Sequence, residues 1–161
     1  MYVTNLRNVP RFLNMKLSHS VKNWMPLIVW MALIFIGSTD VLSAEHTSRF
    51  LFPILRWLDP QITGAALIAA QRLIRKLGHL TEYAILAALF WRALRGTEWR
   101  SKILISFATA FVTCALFAVS DEFHQSFVPS RTASAGDVMI DVCGVLIGLT
   151  ICFAPASRTQ R

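Results

Sequence analysis

The sequence predicts an all-α, membrane-spanning bundle of about four transmembrane helices, with an irregular or interfacial external segment between spans one and two. Three observations carry that prediction. The chain is 55% hydrophobic with a mean hydropathy of +0.51, long uncharged runs recur along it, and its sixteen Lys and Arg sit between those runs. Such a composition belongs to membrane proteins, with the lipid bilayer as first partner. The net charge of +7 then reads as basic loops flanking spans, and no nucleic-acid partner is expected because no basic face is gathered. At 161 residues a single domain is expected, with 1–22 a basic cytoplasmic tail, 23–156 the transmembrane domain and 157–161 a C-terminal tail. Oligomeric state is not legible.

The N-terminal stretch holds Arg7, Arg11, Lys16 and Lys22 and no acid. From Asn23 to Thr39 there is no charge, and WMPLIVWMALIFIG supplies the first span, with Pro26 tolerable in its first turn. The same features, with small residues around Ser43 and Ala44, also fit a cleavable leader that would leave a mature start near Glu45. Residues 40–75 are the least regular part, interrupted by Pro53 and Pro60. Within SRFLFPILRWLDP, Phe50, Phe52, Trp57 and Leu58 can dip into acyl chains while Arg49 and Arg56 meet headgroups. A buried loop over the outer face is the alternative.

From Gly64 a proline-free helical pattern runs through GAALIAAQRLIRKLGHLTEYAILAALFWRAL. A long helix is expected here, with Gly78 its one candidate break point, and the second span lies in its later part. The third span runs from Ile103 to about Ser120, eighteen residues without a charge. The fourth runs from about Asp137 to Ala154 and is ended by Pro155. Cys114, Cys143 and Cys152 lie in apolar stretches, are odd in number and show no CxxC, so all three read as buried packing thiols.

Length then becomes informative. A hydrocarbon core of about 30 Å needs about twenty helical residues. The charge-free run of the second helix is only Tyr83 to Trp91, and that of the fourth only Val142 to Ser157. The second helix must therefore take in Lys76, His79 and Glu82 at one end and Arg92 and Arg95 at the other, and the fourth must take in Asp137 and Asp141. Ten of the sixteen basic residues fall in the N-terminal tail, the loop with Arg92, Arg95, Arg100 and Lys102, and the C-terminal tail with Arg158 and Arg161. Both termini are thus expected in the cytoplasm. Ser38, the start of the second span, the end of the third (Asp121, Glu122, His124, Gln125) and the start of the fourth then meet at the external face.

Helical spacing groups these residues. Lys76, His79, Glu82 and Tyr83 fall at i, i+3, i+6 and i+7, one polar stripe, and Asp121, His124 and Gln125 share another. Asp137, Asp141, Gly144 and Gly148 fall at i, i+4, i+7 and i+11, and the glycines form a GxxxG that admits a close neighbour, within the chain or in a dimer. The loop VPSRTASAG is expected to hold Arg131 over the acids, with Lys76 as the second countercharge.

Ser38, Lys76, His79 and Tyr83, followed by Asp121, Glu122, His124, Gln125, Pro129, Arg131, Asp137, Gly144 and Gly148, resemble the pattern of the VanZ-like family of small bacterial integral membrane proteins, over roughly residues 30–153. The resemblance implies a polytopic helical protein of the cell envelope and an effect on susceptibility to glycopeptide antibiotics, teicoplanin in particular. It implies no reaction. Ser130 stands where the family usually has glycine, and Asp141 where it often has asparagine.

No cofactor is assigned. His79, Glu82, Glu122 and His124 carry donors that suit a divalent cation, but HxxE and DExH are short signals and HExxH is absent. Asp137-x3-Asp141 matches half of a CDP-alcohol phosphotransferase signature whose first half is missing. Lys76 and Arg131 as a phosphate clamp, with His124 as nucleophile or acid, would suit phosphoryl chemistry. Three functions follow from these readings. One is an outward-facing pocket for an anionic or polar headgroup, of an envelope lipid, a lipid-linked precursor or a lipophilic glycopeptide. The second is an intramembrane enzyme carrying out phospho- or acyl-transfer or hydrolysis on an envelope lipid. The third is a purely structural subunit whose charges tie helix ends together. A shared stripe and depth favour the first. Arg49, Arg56, Arg72, Arg75 and Arg92 read as cations that snorkel to headgroups.

Overall fold

The computed structural model describes residues 11–97, 101–131 and 133–158. Expectations resting on Arg7, Arg100 and Arg161 lie outside them. The described residues form five α-helices and no strand: α1 Arg11–Gly37, α2 Ala44–Leu58, α3 Gly64–Arg95, α4 Ile103–Gln125 and α5 Ala135–Arg158, with a 3-10 turn at Asp40–Leu42. Two stretches are long and apolar enough to cross a bilayer, Ile103–Gln125 and Ala135–Ala154. Their outer faces stay uncovered, with Leu104, Leu116, Met139 and Ile151 between 65% and 72% exposed. Soluble domains rarely leave apolar faces of that extent bare. The apolar part of α1, Val21–Gly37, is shorter.

Three boundaries differ from the sequence expectation or settle it. The segment between α1 and α3 is not irregular: residues 44–58 form a helix whose N-cap, Ser43, accepts from the His46 N–H. Pro53 stands inside this helix on its exposed side and forfeits one ladder bond. None of the α2 residues is buried, yet its start is tied to α3, since Gln71 Nε2 donates to the Ala44 carbonyl at 2.6 Å and to Thr47 Oγ1 at 3.2 Å. Second, the long helix expected from Gly64 is α3, and of its two possible forms the structure has the one without a break at Gly78, running for 32 residues. A mid-helix glycine costs only about 1 kcal/mol, too little to interrupt a helix packed on α5. Third, α4 continues past Ser120 to Gln125, and α5 passes Pro155 to reach Arg158. A proline this near a helix end sacrifices one bond of the last turn.

The core lies where α1, α3, α4 and α5 meet. Leu27 and Ile34 of α1 pack with Tyr83, Leu86 and Trp91 of α3 and with Val145 and Leu149 of α5. From α4 the inward residues are small: Ser106, Ala110, Cys114 and Ala118, at i, i+4, i+8 and i+12, are all at most 1% exposed. Small side chains let helices approach without a hydrophobic drive to separate them from lipid. Cys114 is the only one of the three thiols that is buried; Cys143 is exposed and Cys152 half-buried, which corrects the expectation for both.

The GxxxG pair serves a contact within the chain. A Cβ on Gly144 would stand 3.1 Å from the Leu80 carbonyl carbon, and one on Gly148 would stand 2.9 Å from that of Ala84. Both clashes are with backbone, so α3 and α5 touch main chain to main chain at these two positions.

Candidate functional site

The polar residues gather at the end of the bundle where α1 and α4 finish and α5 begins. Because Asp121 and Gln125 are one turn apart, both face the end of α1. Ser38 Oγ donates to Asp121 Oδ1 at 2.6 Å, while Gln125 Nε2 donates to Asp121 Oδ2 at 3.1 Å and to Ser38 Oγ at 3.3 Å. All three side chains are buried. This closed triangle satisfies both carboxylate oxygens without a cation. Ser38→Ala removes one donor to a buried carboxylate, a change expected to cost about 1–3 kcal/mol. The cost should appear as a lower melting temperature of the detergent-purified protein, and unchanged melting would mean that Gln125 alone holds Asp121.

Arg131 forms no ion pair with an acid among the described residues. Its Nε and Nη2 donate to the Thr39 carbonyl at 3.1 and 2.9 Å, and Nη2 also donates to the Gly37 carbonyl. The last carbonyls of a helix have no partner of their own and carry its negative end, so a guanidinium is well matched to them. Burial pulls the Arg131 pKa down, Arg75 adds to this, and Asp121, Glu82 and Asp40 oppose it. The exposed Asp40 carboxyl is held below its ordinary value, chiefly by the Ser130 hydroxyl, with His46 and Arg131 assisting. The loop is pinned a second time by Glu122 Oε1, which accepts from the Ser134 N–H. Ser134 Oγ in turn accepts from the Gly136 N–H at 3.1 Å, and so caps α5.

A second knot joins α3 to α5. His79 Nδ1 lies 3.1 Å from Oδ1 of Asp141, whose side chain is 0% exposed. The other oxygen of Asp141, Oε2 of Glu122 and the Tyr83 hydroxyl are buried without a hydrogen-bonding side chain or backbone group. Glu82 is half-buried, with its carboxyl in the electrostatic reach of His79, Asp141 and Asp121, while its carbonyl accepts from Trp30 Nε1 at 2.9 Å. His124 departs from the expected grouping. Its ring stacks on Phe35 of α1 at 4.3 Å between centroids, and it bonds to none of the acids. Lys76 likewise forms no ion pair with an acid among the described residues.

Beside the second knot lies a cavity of about 320 Å³, lined by Arg72, Arg75, Lys76, His79, Ser134 and Asp137. That is at the lower end of ligand pockets, which run roughly 300–1,000 Å³. Arg72 and Arg75, expected to point to headgroups, share this cavity with Lys76 and His79. The spacing of Arg72, Arg75, Lys76 and His79 at i, i+3, i+4 and i+7 was the available signal. Ser134 could not be found that way, because its place depends on the loop fold. No group of three or more His, Cys, Asp and Glu side chains among the described residues is placed to hold a metal ion. His79, Glu82, Glu122 and His124 therefore do not converge as a ligand set.

Comparison with curated proteins gives no match, and comparison with solved structures gives none. The family model VanZ/LLP1 matches residues 23–155, from the apolar part of α1 through α5, and this span contains every residue of the site. The chain therefore belongs to the VanZ/LLP1 family.

Proposed function

We propose that this chain is a multi-pass protein of the bacterial cytoplasmic membrane, with four helices crossing and both termini inside. Its outward-facing cavity binds the anionic or polar headgroup of an envelope lipid, a lipid-linked precursor or a lipophilic glycopeptide, and through the last of these alters susceptibility to teicoplanin. The observation that carries this reading is unneutralised charge. Arg72, Arg75 and Lys76 line one cavity, and none of them forms an ion pair among the described residues. Three cations against a single acid, Asp137, in one polar cleft suit an anion better than they suit structure.

Several features support the four-span part. α1 contributes Leu27 and Ile34 to the core, donates from Trp30 to α3 and receives Arg131 at its end, all of which favour its retention over removal as a leader. The distribution of Lys and Arg supports the orientation.

Titration of the protein in phosphatidylcholine nanodiscs with dihexanoyl phosphatidic acid, dihexanoyl phosphatidylglycerol and teicoplanin in turn tests the pocket. The pair Arg75→Glu and Lys76→Glu is expected to weaken binding at least ~10-fold, about 1.4 kcal/mol. Arg92→Gln is expected to change it less than ~2-fold, because Arg92 meets the Lys22 carbonyl at the other end of the bundle. Equal affinity for all variants would overturn the reading.

A further inference from the structure

We propose that the cavity hydrolyses a phosphate monoester, with His79 as general base and Asp141 as the residue that positions it. This rests on the headgroup reading above and adds a reaction to it. The sequence suggested His124 and Arg131 for such chemistry, and the structure commits both elsewhere, to Phe35 and to the end of α1. His79 is differently placed. Its Nδ1 faces the fully buried Asp141 at 3.1 Å, while the residue itself lines the cavity. A carboxylate can only accept, so Nδ1 carries the proton and Nε2 is left as the basic ring nitrogen. An imidazole whose far nitrogen is held by a buried acid, next to a cleft that admits solvent, is the arrangement of an oriented base. A pair that served only to tie two helices would have no need of that cleft.

The rest of the cavity fits the substrate class. A phosphate monoester carries its charge on three peripheral oxygens, and Arg72, Arg75 and Lys76 supply three cations on one face of α3. Asp137 of α5 is the one acid among the residues that line the cavity. The imidazole is also held still, because Gly144 seats α5 against the Leu80 backbone one residue beyond His79.

In the reaction, a water oxygen attacks phosphorus opposite the ester oxygen as its proton passes to His79 Nε2. The new P–O bond forms and the ester P–O bond breaks. Its electron pair leaves on the alcohol oxygen, which takes a proton from water at the open mouth, and the imidazolium returns its proton to solvent. The sum is monoester plus water to alcohol plus phosphate.

The test uses the full-length protein in nanodiscs, with dioctanoyl phosphatidic acid as lipid source and p-nitrophenyl phosphate as soluble source of the same group. Phosphate release is followed alongside binding. Release from phosphatidic acid alone would assign the lipid, and release from both the phosphate group itself. His79→Gln should lower kcat at least ~100-fold, in the range of a general base, and weaken binding no more than ~10-fold. Asp141→Asn should lower kcat ~10-fold or more with KM within ~3-fold, a split that mere loosening of the fold would not give. Wild-type protein that binds phosphatidic acid but releases no phosphate overturns the hydrolase and leaves the headgroup reading standing. Absence of binding overturns both. Release that survives His79→Gln at full rate assigns it to a contaminant and also overturns the proposal.

Discussion

Gly148→Leu is expected to abolish accumulation of folded protein in the membrane. Its Cβ would enter the shell of the Ala84 carbonyl, whose carbon would be 2.9 Å away, and backbone cannot rotate out of the way as a side chain does. Ordinary overpacking costs about 1–3 kcal/mol. Here the two helices must separate along their main contact, and the loss should exceed ~3 kcal/mol. Fluorescence-detected size exclusion of a tagged protein would show the monodisperse peak lost, as it should for Gly144→Leu. Gly78→Ala is the control. A Cβ there meets nothing within 4 Å, so removing the glycine should stabilise α3 by about 0.5–1 kcal/mol. A normal peak for Gly148→Leu would mean that α3 and α5 do not meet as described.

His79→Leu is expected to be the most damaging single change among the polar residues. It leaves the Asp141 carboxylate, 0% exposed, with neither of its oxygens partnered. Breaking a buried pair in this way typically costs about 3–5 kcal/mol, much of it from the stranded charge. Two companions separate charge from packing. Asp141→Asn keeps an acceptor for Nδ1 and removes the buried charge, so melting should fall by under ~1 kcal/mol equivalent or even rise. The double change His79→Leu with Asp141→Leu should be more stable than His79→Leu alone, with a coupling of at least ~2 kcal/mol in a double-mutant cycle. Equal melting for the single and double changes would show that no such pair forms.

Much of this site was legible because helix periodicity and charge speak to the same positions. Asp121 with Gln125, and Asp137 with Asp141 and the two glycines, share faces by spacing alone, and the length of the charge-free runs drew His79 and Asp141 towards one depth. What the sequence could not weigh was competition for partners. Arg131 reads as countercharge to nearby acids, yet the unmet carbonyls of Gly37 and Thr39 claim its donors. Asp121 finds hydroxyl and amide donors instead, from residues 83 and 4 positions away in the chain. That Arg72 and Arg75 share a cavity with Ser134 and Asp137 was not legible, because the sequence does not show which loop residues lie opposite α3. α2 was obscured by Pro53, which usually ends or kinks a helix and here stands inside one.

The contact of Gly144 with Leu80 and Gly148 with Ala84 works like a vernier. Two notches four residues apart on α5 meet two carbonyls four residues apart on α3, and His79 meets Asp141 immediately above them. Sliding α5 by one turn, about 5.4 Å, would seat only one glycine and part Asp141 from His79. Such a slip is therefore closed to this protein as a route for admitting or releasing a ligand. The α3–α5 wall of the cavity, from His79 to Asp137, thus keeps a fixed depth.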